Sequence, residues 1–217
     1  MRIFTWAVAA LLLLGSQANA DIRITEVCSW GNDFSAIGSD WFELTNFGAS
    51  TIDITGWRVD DSSNSFGSSH ALLEVTSIAA GQSVVFMEVS QANFASRVEA
   101  FNNSWFGSPT SSVSFGRYSG SGIGLSGTSG DAVNIFTASG IPVTSVDFGP
   151  ATFGFTFDNF NGQTGTISNL SVVGSNGAFQ SSDGLQVGSP GAVPEPSALG
   201  LLAVAGVVVG GMRRKRS

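Results

Sequence analysis

The chain has 217 residues and a formal charge of −7, a value that understates how acidic its middle is. Residues 21–192 hold no lysine and four arginines against fifteen acids, a net charge of −11, so a phosphate backbone is not an expected partner. The only cysteine, Cys28, excludes an internal disulfide, and a body of this length must be held by the packing of one core.

Arg2 opens the chain with a positive charge, and the apolar run 4–14 is interrupted only by Thr5. Ala18-Asn19-Ala20 then places small side chains at the positions a signal peptidase accepts, which predicts a signal peptide over residues 1–20 and a mature start at Asp21. The run is shorter than the roughly 20 residues a membrane span needs.

Residues 21–192 read as one all-β domain: short β-prone runs separated by Gly, Ser, Asn and Asp. Strands are expected over 22–28, 41–46, 51–54, 57–60, 83–89, 132–136, 143–148, 153–157 and 171–173. Cys28 falls in the first of these as a small buried thiol. In the second, Glu43 alternates with Phe42 and Leu44, an acid placed to pair with Arg58 or to bind backbone amides. Asn46 is expected to close the following turn in a left-handed conformation. Gly56 allows a tight bend, Trp57 is a large core plug, and Gly81 turns the chain into strand 83–89. One helix is expected after Ser90 as cap, with Phe94, Val98 and Phe101 on one face as a crossover lid on the sandwich. Residues 102–130 are rich in Gly and Ser and read as loop, with 120–130 the least ordered. Seventeen phenylalanines and five tryptophans should mostly fill the core; Trp105 and Phe106, in that polar stretch, are the candidates for an exposed sugar platform.

Groups able to run a reaction are sparse. His70 is the only histidine, which excludes a multi-histidine metal site, and no Gly-x-Ser-x-Gly turn occurs in the body. Asp60 with Asp61, or Glu43 with Asp40, are the carboxylate pairs a glycoside hydrolase would require in a cleft. Asp60, Asp61 and the loop from Asp33 to Asp40 have the ligand type for calcium but lack an EF-hand spacing. No metal, cofactor or catalytic residue is assigned.

The chain ends in Pro194-Glu195-Pro196, an apolar segment 198–212, and the cluster Arg213, Arg214, Lys215, Arg216. The prolines keep the motif extended, the apolar helix enters the bilayer, and the basic cluster stops transfer on the cytoplasmic side. Fifteen helical residues reach about 22 Å against a hydrocarbon core near 30 Å, which suits a transient anchor better than an ordinary single-pass one.

In this order and with an export signal, residues 193–217 resemble the PEP-CTERM sorting signal. The resemblance implies recognition by exosortase at the inner membrane, removal of the tail, and delivery to the cell surface or extracellular matrix. A second resemblance spans the body. Ile24-Thr25-Glu26-Val27, Asp40 through Gly48 (Glu43-Leu44-Thr45-Asn46 at its centre), Ile52 through Asp61 with Gly56-Trp57, Ile78 through Val85, and Gly188-Ser189-Pro190-Gly191 follow the order of the lamin tail domain, with Ile54 where that family has Leu. This resemblance implies an immunoglobulin-like β-sandwich acting as an interaction module rather than a catalyst.

The expectation is therefore an exported, non-enzymatic surface or matrix protein. Its sandwich would bind polysaccharide, envelope or protein partners, and its tail would be membrane-anchored until processing. The alternatives are a secreted hydrolase acting on matrix polysaccharide and a structural matrix component without a ligand.

Overall fold

Alternation of inward and outward side chains along three strands, β1 (Ile22–Cys28), β2 (Trp41–Asn46) and β7 (Ser83–Glu88), builds the centre of the molecule in the computed structural model, which describes residues 21–119 and 123–193. A helical turn, α1 (Gly31–Phe34), joins the first two. Between β2 and β7 run the short strands β3 (Ile52–Asp53), β4 (Arg58–Asp60), β5 (His70–Ala71) and β6 (Ser77–Ile78). A 3₁₀ turn, Gln91–Asn93, then leads into α2 (Phe94–Phe106) and β8 (Ser114–Tyr118). The chain continues through β9 (Asp131–Phe136), β10 (Pro142–Phe148), β11 (Phe157–Asp158), β12 (Gly165–Ile167), β13 (Phe179–Gln180) and β14 (Val187–Gly188).

Two five-stranded sheets face each other as an immunoglobulin-like sandwich, in the orders β11-β1-β2-β7-β8 and β12-β10-β9-β4-β5. Ile22, Ile24, Val27, Phe42, Leu44 and Phe86 of the first sheet share a core with Val59, Val133, Ile135 and Val146 of the second and with Trp57 just before β4. Trp57 is the core plug its position after Gly56 suggested, and Gly56 has the positive φ of 75° that the bend requires.

The other face of the first sheet is also dry, because α2 lies across it. Cys28, Trp41, Val85 and Met87 meet Phe101 and Trp105, with the Trp41 ring edge-on to Phe101 at 5.5 Å and to Trp105 at 6.1 Å. Burial on both faces is why every residue of β2 is buried. The expected helical face is present, and α2 connects β7 to β8 as parallel neighbours, a pairing that needs a crossover.

Several expectations for this region are corrected. Ser90 makes no side-chain cap; it precedes the 3₁₀ turn, and Asn93 precedes α2. The stretch 102–130 is not a loop throughout: the helix continues to Phe106 and stops at Gly107 in the left-handed conformation, φ 64°. Trp105 is only 1% exposed, so it is core rather than a sugar platform, and Phe106 is half-buried. Strand β8 follows, where Gly116 is required because a Cβ there would lie 2.3 Å from the Phe86 ring. Of the stretch 120–130, residues 120–122 lie outside the described residues, while Ile123 and Leu125 are buried between the sheets.

Three further readings are revised. Asn46 has no positive φ; it closes its turn through its side chain, which donates to the Ser50 and Ile78 carbonyls and accepts from the Gly48 amide. The strand expected over 153–157 shrinks to Phe157–Asp158, because the chain turns at Thr152 to Phe155. Residues 171–173 are not a strand: the Ser171 amide bonds the Thr156 carbonyl and a turn begins at Val172, whose carbonyl accepts from the Ser175 amide. No helix among the described residues is long and apolar enough to cross a membrane.

Candidate functional site

A β-bulge at Thr25 shapes the first feature. The register between β1 and β2 shifts between Ile24 and Glu26, which sets Glu26 opposite Glu43 while Thr25 also reaches Glu43. Thr25 Oγ1 donates to Glu43 Oε1 at 2.7 Å and the Gly191 amide to Glu43 Oε2 at 2.6 Å. Glu26 Oε1 accepts from Thr156 Oγ1 at 2.5 Å and from the Ser189 amide at 2.7 Å. Glu43 thus takes the backbone-amide role, and Arg58 instead donates to Ser69 and lies over the Phe66 ring.

Both carboxyls are fully buried. Loss of water raises the Glu26 pKa to about 8, helped by the Glu43 charge, and burial raises Glu43 to about 7 against the hydrogen bonds that favour its anion. The pair clasps the chain end: a Cβ at Gly188 would lie 2.5 Å from Glu26 Oε1 and 2.8 Å from the Trp105 ring, so only glycine passes. These two acids face each other inside the protein, 0% and 1% exposed. The pairs weighed for hydrolysis are also occupied: Asp60 accepts from Ser63 Oγ and the Ser65 amide, Asp61 from the Ser63 amide, and Asp40 from the Asn32 amide. No group of three His, Cys, Asp or Glu side chains among the described residues could hold a metal ion.

The second feature is open to solvent. After β11 the chain turns through Asn159, whose Nδ2 donates to the Ile24 carbonyl at 2.6 Å and to the Gln163 carbonyl at 2.9 Å. Gly162 takes a φ of 63° there and abuts Arg23, whose guanidinium is paired with Asp21. The turn and β12 enclose a cleft of about 140 Å³ lined by Asp158, Asn161, Gln163, Thr166, Asn169 and Asn176, among other residues. Asn176 Nδ2 is held by Asp158 Oδ2 at 2.8 Å. The side chains of Asn161, Gln163, Thr166 and Asn169 make no hydrogen bond among the described residues and are exposed. Their amides and hydroxyl offer both donors and acceptors, with Asp158 the only ionisable lining group.

A third, mixed-charge hollow lies between Glu88 and Arg97. Burial and the nearby Asp40 raise Glu88 to about 7, while Arg97 donates to the Ile37 carbonyl at 2.8 Å.

The sorting residues Pro194, Glu195, Pro196, Arg213, Arg214, Lys215 and Arg216, and the cleavage residues Ala18 and Ala20, lie outside the described residues. His70 sits half-buried in β5, and Cys28 is fully buried. Sequence reasoning missed the pairing of Glu26 with Glu43. Its signal was the acid breaking the apolar alternation of β1. The polar cleft was missed too, though the run Asp158 to Gln163 is almost wholly polar.

The lamin tail domain family matches residues 15–150. The match covers β1 to β10 and stops before β11, β12 and the chain end that the two glutamates hold. No curated protein and no solved structure matches.

Proposed function

The chain belongs to the lamin tail domain family, and from that premise we propose that it is an exported, non-enzymatic surface or matrix protein whose sandwich binds neutral polysaccharide. The observation that carries this reading is the cleft beside β12, where amide and hydroxyl side chains converge without partners of their own. Hydroxyl-rich ligands are recognised by such donor and acceptor sets. Electrostatics favours a neutral ligand over an anionic one. The body carries −11, and each of its four arginines is engaged: Arg23 with Asp21, Arg58 with Ser69, Arg97 with Ile37, and Arg117 with Glu74. Nucleic acid is disfavoured on the same ground.

Signal peptidase would release the mature start at Asp21, and exosortase would act at Pro194-Glu195-Pro196 after the apolar segment 198–212 had held the protein at the inner membrane. Support comes from the order of these elements in the sequence. Mass spectrometry of the product from cells with and without active exosortase tests the route. A secreted species from Asp21 to near Pro194 is expected only where exosortase is active; an intact membrane-bound C-terminus in both strains overturns it. A glycan array tests the ligand. Binding of the mature protein to neutral polysaccharides, reduced by N161A with N169A, is expected, and no binding to any neutral glycan refutes the assignment.

A further inference from the structure

Between Phe148 and Val193 only Asp158 and Asp183 are charged, in a body that is otherwise strongly acidic. Asp183 is exposed but held in place, accepting from Ser104, Ser181 and the Leu185 amide. This stretch also carries large exposed apolar side chains: Leu185 is 68% exposed, Val172 60% and Val173 59%. Backbone pairing draws them together with Phe155. Phe155 bridges Val187 in parallel, and the Leu185 carbonyl lies 3.1 Å from a Cβ built at Gly154. On the other side, the Ser171 amide bonds the Thr156 carbonyl, which brings Val172 alongside Phe155.

The last described residue, Val193, lies at the same place. Val172 to Ala178 is one tight turn, closed by the Ser175 amide on Val172 and the Gly174 amide on Ala178. A Cβ built at Gly177 would lie 2.9 Å from the Ala192 Cβ, so Val193 adjoins the turn that bears Val172 and Val173. From Val193 to Ala198, where the apolar tail begins, five residue steps span at most about 18 Å.

We propose that, while the tail is in the membrane, the domain lies with Phe155, Val172, Val173 and Leu185 against the lipid surface. This rests on the reading of segment 198–212 as a membrane anchor. The short tether keeps this face within reach of the headgroups. Only Asp158 and Asp183 are charged in this stretch, and both are hydrogen-bonded within the fold, so the four side chains gain by leaving water with two carboxylates nearby. Processing would then release the face along with the tail.

The test uses the full chain reconstituted in phosphatidylcholine vesicles, with an environment-sensitive fluorophore at L185C or, as control, at S139C. Ser139 lies in the hairpin at the far end of β10 from Phe148. Cys28 is buried and stays unlabelled. Both proteins should float with the vesicles, and lipid-borne quenchers should suppress the probe at 185 several-fold more than at 139. Flotation with equal quenching at both sites overturns the docking alone. Failure to float overturns the anchor and the docking together. Flotation with efficient disulfide formation between two copies of unlabelled L185C and no lipid quenching assigns the face to a second copy instead.

Discussion

Two buried acids facing each other across β1 and β2 make stability depend on pH in an unusual direction. Glu26 and Glu43 bind their protons more tightly in the folded chain than in the unfolded one, where they titrate near 4.5. Between that pH and about 8, the folded state therefore holds more protons, and stability falls as pH rises. The full contribution is present below about pH 4.5 and is lost through the Glu43 and Glu26 transitions near 7 and 8. Glu88, raised to about 7, adds in the same sense. Urea denaturation at pH 5, 7 and 9 should show a lower midpoint at each step, and E26Q should flatten part of the slope, leaving the parts due to Glu43 and Glu88. An equal slope in E26Q would remove Glu26 as one of its sources. At the same spot Gly188 is sterically pinned, so G188A should destabilise by about 1–3 kcal/mol through overpacking, read from the same titration at pH 5.

Elements make the next scale, and here α2 and the chain end together close the outer face of the first sheet. Trp105 packs between Trp41 and Phe179, and W105A should cost about 3–5 kcal/mol, since it opens a cavity among large rings. F106A should cost less, because that ring is half-buried. The chain end matters through hydrogen bonds rather than bulk. Deleting residues 186–193 removes the Ser189 and Gly191 amides and leaves two buried carboxyls without them, whereas stopping after Val193 removes neither. The first truncation should melt well below the intact domain by circular dichroism, and the second should match it. Much of this layer was legible: period-two runs gave β1 and β2, short β-prone runs between turn residues gave β7, β9 and β10, and Phe94, Val98 and Phe101 gave the start of α2. The helix end was not, because Asn102, Asn103 and Ser104 have loop-like composition. Only packing against Trp41 tells that Trp105 belongs to the apolar face. Strand β8 was hidden for a similar reason, since its Gly116 reads as a breaker and is in truth a fit against Phe86.

For the whole molecule, charge and sequence distance decide both what it binds and what could be foreseen. Glu26 meets Ser189 across 163 residues, so no local pattern announces the clasp, although its parts stood in the family motifs. The cleft is likewise built from a turn, a short edge strand and Asn176, brought together only by folding. Acidity, by contrast, was visible from the start, and it yields a test of the ligand that needs no mutation. A cation-driven complex with an anionic polymer weakens steeply as salt screens it, with the Debye length falling from about 10 Å at 0.1 M to about 3 Å at 1 M. A complex made through Asn161, Gln163, Thr166 and Asn169 has no ion pair to screen. Calorimetric affinity for a neutral polysaccharide should therefore stay within about twofold between 0.05 and 0.5 M sodium chloride. An anionic polymer that binds instead, its affinity rising with salt as the acidic surface is shielded or falling steeply as a cationic contact is screened, would replace the neutral ligand. Each of these outcomes would move the binding surface away from the cleft beside β12.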